Sequence, residues 1–121
     1  MDSWGPVVDR HGVATLLCPA EGPPLRAPDT VDLVGAALSQ HAELVVFPAQ
    51  RLDPAFFRLR SGVAGEIVQK LVQYRLRLAV VGDISSHLAR SPTLRAFVDE
   101  ANRGRDVWFV TDMSTLDSRL A

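Results

Sequence analysis

Short apolar runs alternate with longer segments whose apolar residues recur every three or four positions, and the two periods divide the chain into elements. Residues 5–10 and 13–18 read as two strands flanking His11-Gly12, where Gly12 can supply the positive φ of a hairpin turn. Residues 19–28 carry Pro19, Gly22, Pro23, Pro24 and Pro28 and form a loop. Asp29 or Thr30 then caps a first helix with Val31, Val34 and Leu38 at helical spacing. Residues 43–47 make a buried strand closed by Pro48, and Asp53-Pro54 follow as N-cap and first residue of a second helix. Its stripe is Phe56, Leu59, Val63, Ile67, Leu71 and Tyr74, but Ser61-Gly62 interrupts it, so the helix divides there and Ser61 recaps a fresh turn. A strand over 76–81, a loop over 82–91, and a third helix over 93–102 capped by Ser91-Pro92 come next, with Leu94, Phe97 and Val98 inward. Val107–Val110 is the last strand and Met113–Leu120 a closing helix.

The order is ββαβαβαβα. Strands joined by helical crossovers of this length run parallel, with right-handed connections, and the first hairpin adds an antiparallel edge. The expectation is one α/β domain over residues 1–121, built on a mixed, mostly parallel five-stranded sheet without repeats or linkers. A chain of 121 residues with 47% hydrophobic and 22% charged residues can bury one core.

Charge narrows the partners. Thirteen basic and fourteen acidic residues leave a formal charge of −1, which gives no general attraction to nucleic acid or anionic membrane. Arginine supplies all the basic residues but Lys70, a bias of genome composition. The single cysteine, Cys18, excludes an intrachain disulfide and points to a cytoplasmic setting, with a buried structural thiol as its role. The opening MDSWGPVV lacks the features of a signal peptide, and no apolar run approaches the roughly 20 residues that span a bilayer.

Candidate chemistry is sparse. His11, His41 and His87 have no paired spacing, so no metal site is expected; there is no nucleophile elbow and no Cys–His pair, and no cofactor motif. The run RSGVAGE is not a P-loop, because it lacks Gly-Lys-Ser/Thr and follows a helix. In a parallel sheet, ligands bind outside the carboxyl ends of the strands, which here are 48–52, 82–86 and 111–112. Asp83 is the foremost single candidate, beside Gly82; the competing role is a turn acceptor. Arg58, Arg60 and Arg75 with Ser61 and Gly62 could hold an anion, against solvated arginines as the alternative. Glu66 and Lys70 stand four apart, the spacing of a surface pair. Ser61, Gly62, Ala64 and Gly65 remove bulk over two turns, letting either the domain's own sheet or an external partner approach closely. In the external case Arg60, Glu66, Gln69 and Lys70 form a polar rim.

The segments DPAFFRLRSGVAGEIVQK, YRLRLAVVGDIS and LRAFVDEANRG resemble the signature of domain-of-unknown-function family 4180, a likeness that covers nearly the whole chain; Gln73 stands where that pattern has Asn before the Tyr. The family implies no settled activity. The element order is also similar, at fold level, to that of STAS domains, which serve regulated protein contacts and open their second helix on a phosphorylatable Ser. Here that place reads Leu52-Asp53-Pro54, with Ser61 about two turns later. The expectation is a non-catalytic regulatory or protein-interaction module, self-associating or bound to a protein partner, through Arg60, Ser61, Gly62, Gly65, Glu66, Gln69 and Lys70. The alternative is a small-molecule-binding protein or small enzyme with its pocket near Arg51, Arg60 and Asp83.

Overall fold

The computed structural model describes residues 4–121. Strands β1 (Val7–Arg10) and β2 (Val13–Leu17) form the antiparallel hairpin, with Val7 opposite Leu16 and Arg10 opposite Val13. Both turn residues have positive φ, 55° at His11 and 83° at Gly12, the backbone of the tight turn whose twist matches a hairpin. The Gly12 amide donates to Asp9 Oδ1 at 2.9 Å and fixes that turn.

Strands β3 (Leu44–Pro48), β4 (Arg77–Val81) and β5 (Val107–Val110) add in parallel to β2, giving the sheet order β1-β2-β3-β4-β5. Each crossover therefore steps to the adjacent strand in one direction. Right-handed crossovers of that kind place their helices on one face. These are α1 (Thr30–Ser39), α2 (Val63–Gln73) and α4 (Pro92–Arg103). Their buried Leu33, Ala37, Ile67, Leu71, Leu94 and Val98 share one core with Leu16, Val45, Phe47, Leu78, Val80 and Phe109. The alternate strand residues Leu44, Val46, Ala79, Trp108 and Val110 face the other side, where α5 (Met113–Leu120) covers them through Leu116. A bidentate pair, Arg10 Nε and Nη2 to Asp117 at 3.0 and 2.7 Å, ties the far hairpin to α5. No helix among the described residues is long and apolar enough to cross a membrane.

The fold class and the five strands agree with the sequence reading; several local expectations are corrected. Helix α1 buries Thr30, Leu33, Val34 and Ala37, so two of the three apolar positions expected inward, Val31 and Leu38, are 61% and 42% exposed. The helix follows directly on a 3-10 turn at Ala27–Asp29 held by Arg26 and Asp29. The stretch after Asp53 is not α-helical at first. It makes two 3-10 turns, Pro54–Phe57 and Leu59–Ser61, before Gly62 at φ 80° resets the chain into α2. The Ser61 hydroxyl accepts from the Val63 amide at 3.2 Å and donates to the Ala55 carbonyl at 2.6 Å, but the N-cap of α2 is Gly62, so the expected recapping by Ser61 gives way to a turn just ahead of the cap. Tyr74, expected on the inward stripe, is 44% exposed because α2 has ended. Arg75 there adopts φ 60°, with the Leu76 amide donating to Leu71 and the Arg75 amide to Val72, a Schellman closure. His41 closes α1 in the same way. Finally, the segment expected as loop 82–91 holds a short helix, α3 (Ser85–Arg90).

Candidate functional site

The segments leaving the carboxyl ends of β3 and β4 face each other and enclose a cleft of about 600 Å³. Further clefts among the described residues hold about 340, 310 and 280 Å³. One wall of the 600 Å³ cleft is the double 3-10 segment, giving Pro54, Phe57, Arg58, Leu59 and Arg60; the other is α3 and the start of α4, giving His87, Arg90, Ser91, Pro92 and Thr93. No acidic side chain among the described residues lines it. Phe57 ends the first 3-10 turn and Arg60 lies in the second, with Arg58 extended between them, while one turn of α3 sets His87 and Arg90 on one side.

The walls are held from within. Phe57 is buried, stacks on the His87 ring at 4.1 Å with an interplanar angle of 10°, and meets Phe56 edge-on at 5.2 Å. Phe56 in turn lies 6.3 Å from Phe109 of β5, so the ring pair is anchored to the core. The Ser91 hydroxyl accepts from the Leu94 amide at 3.0 Å, capping α4 and directing its first turn to the cleft. Arg58, Arg60 and Arg90 are exposed and make no ion pair or side-chain hydrogen bond among the described residues. Cations that converge without a carboxylate create a positive potential, focused where the protein excludes water. Such a cleft can bind and orient an anion.

The structure distributes the other residues singled out from sequence. Arg51 is 4% exposed: its guanidinium donates to the Pro19 carbonyl at 3.0 Å and twice to the Pro23 carbonyl, at 3.2 and 3.0 Å, and lies 5.0 Å from the Phe47 ring centre. It pins the proline-rich loop to the sheet. Asp83 lies outside the cleft lining, and its Oδ1 accepts from the Ser85 amide at 2.9 Å. That bond holds the Asp83 carboxyl below the usual carboxylate range. Glu66, Gln69 and Lys70 line the 310 Å³ notch with Ala27, Thr30 and Gln73, between α1 and α2. Gly65 is exposed, and a Cβ placed there would meet nothing within 4 Å; the same holds for Gly62. Only Ala64 of the small-residue patch faces the core. Arg75, grouped with Arg58 and Arg60 in the sequence, is the left-handed residue closing α2.

Of the sequence candidates, then, Arg58 and Arg60 share one cleft, whereas Arg51, Asp83 and the Glu66–Gln69–Lys70 group lie apart from it. Sequence reasoning missed Phe57, His87, Arg90 and Thr93 as companions. The usable signal was the spacing of His87 and Arg90, which share a face once residues 85–90 are read as a helix. Cys18 is buried, and its amide donates to Val46 at 3.0 Å. Among the described residues no three His, Cys, Asp or Glu side chains converge as a metal site would require.

No curated protein and no solved structure matches the chain. The family described as Domain of unknown function (DUF4180) matches over residues 10–120, a span that contains both walls of the cleft, and the chain belongs to that family.

Proposed function

We propose that the domain is a non-catalytic binding module that takes an anionic small molecule in the cleft between the 3-10 segment and α3–α4. The observation that carries this reading is the convergence of Arg58, Arg60 and Arg90 on one cleft that no acidic side chain among the described residues lines. Arginine forks suit phosphate and carboxylate groups, which they meet with paired N–H donors. The position outside the carboxyl ends of two adjacent parallel strands is where α/β sheets commonly hold ligands.

Thermal unfolding with and without pyrophosphate tests the proposal. The parent should melt higher with ligand, and Arg58→Ala/Arg60→Ala should lose that shift while melting normally alone. Exposed, unpaired arginines contribute within about 0.5 kcal/mol to stability. An equal shift in parent and variant would place the anion elsewhere and sink the reading.

A second reading has its own observation. Val31, Leu38 and Tyr74 are 61%, 42% and 44% exposed on the outer side of α1 and α2, beside Gly35 and Lys70. Apolar residues grouped in that way suit a protein contact, in keeping with the regulatory or self-associating role implied by the STAS-like element order. Sedimentation at micromolar concentration checks self-association: the contact predicts a dimer that Leu38→Glu dissociates, and a monomer at all concentrations would reject it.

A further inference from the structure

We infer that the ligand of the cationic cleft is a phosphorylated compound carrying a planar heteroaromatic ring, of the nucleoside-phosphate class; this deepens, and rests on, the anion-binding reading. Two features of the cleft exceed what a bare anion uses. The first is room. At about 600 Å³ the space is far larger than an inorganic phosphate fills, a water occupying only about 30 Å³ in the liquid.

The second is the ring pair. Phe57 and His87 stack nearly parallel at 4.1 Å, with Phe57 buried behind and His87 half-buried at the cleft. The edge contact of Phe57 with Phe56, and the tilted contact of Phe56 with Phe109, fix that pair against the sheet. A ligand ring laid on His87 continues an existing stack on a platform that is already ordered, so little conformational freedom is lost on binding. Pro54, Leu59 and Pro92 supply apolar contact for the ring edge and sugar, while Arg58, Arg60 and Arg90 remain for the phosphate. Among the described residues no Asn, Gln, Asp or Glu lines the cleft to read a base edge. Ring identity should therefore matter little beside ring presence, as in sequence-tolerant stacking on aromatic side chains.

Isothermal titration of the whole chain with ribose 5-phosphate and with adenosine 5′-monophosphate tests the inference. The two share the phosphate and differ in the ring. The nucleotide should bind about ten-fold more tightly, at the lower part of the range for one stacked base. His87→Ala should erase that ratio while leaving ribose 5-phosphate binding within about two-fold, and His87→Phe, which keeps a stacking ring, should preserve it. Equal affinity of the two phosphates for the parent, or an unchanged ratio in His87→Ala, would overturn the inference and leave anion binding standing. If neither phosphate binds, the anion-binding reading itself fails, and the inference with it.

Discussion

Replacing Gly35 and Gly65 by alanine probes what the outer faces of α1 and α2 are for. Both glycines lie inside helices, and a Cβ at either would meet nothing within 4 Å. Neither has a positive φ. No close approach inside the domain therefore requires them, and each weakens its helix. Gly35 is central in Thr30–Ser39, where glycine costs about 0.8–1.0 kcal/mol relative to alanine. Gly65 is the third residue of Val63–Gln73, in a first turn that is less fully constrained, so about 0.5 kcal/mol is the better figure. The substitutions sit on separate helices and neither added methyl reaches a neighbour, so the effects should add to about 1.5 kcal/mol of stabilisation. Unfolding entropy near 2.1 cal/mol/K per residue makes 1 kcal/mol worth about 4 °C in this chain. The double variant should thus melt about 6 °C higher in a thermal scan followed by circular dichroism. A lower melting temperature would refute the reasoning, because it would mean that the glycines admit a close contact within the fold.

Asn102 predicts a loss instead. Its side-chain amide accepts from the Phe109 N–H at 2.7 Å and donates to the Phe109 carbonyl at 3.2 Å, occupying the open edge of β5. Asn102→Ala should cost about 1–3 kcal/mol in urea unfolding, since two part-buried backbone groups lose their partner, and should speed hydrogen exchange at Phe109. Asp117 predicts a pH effect: its hydrogen bonds with Arg10 hold its pKa below the ordinary value. A depressed carboxyl contributes stability above the unfolded value near 3.9 that is lost as pH falls through the folded pKa. Asp117→Asn should therefore flatten the acid limb of the stability profile below about pH 4, and an unchanged limb would count against the pair.

The strands were legible because each apolar run is short and ends on Pro48, Gly82 or a polar loop, so length and punctuation agreed. Helix faces were less so. Val31, Val34 and Leu38 satisfy helical spacing as well as Leu33, Val34 and Ala37 do, and only the docked sheet chooses between them. The 3-10 turns after Asp53 escaped notice because Phe56 and Leu59 fit either helix type over so short a span. By sequence Gly65 suits an internal contact or an external partner alike, whereas a Cβ there, or at Gly35 on α1, would meet nothing within 4 Å. Arg51 carried the right chemistry for a ligand site, yet no local pattern foretells that its guanidinium turns toward Pro19 and Pro23, 32 and 28 residues earlier. The cleft was half visible: Arg58 and Arg60 stood in a recognised basic group, while His87 and Arg90 lay hidden in a segment too short to declare itself a helix.

The central claim is about place, so the most direct measurement is amide chemical-shift mapping during titration with ribose 5-phosphate. The account predicts saturable shifts confined to Phe57, Arg58, Leu59, Arg60, His87, Arg90, Ser91 and Thr93, and their disappearance in Arg58→Ala/Arg60→Ala/Arg90→Ala. Shifts centred on Glu66, Gln69 and Lys70, or on Asp83, would contradict it, as would a spectrum that does not move.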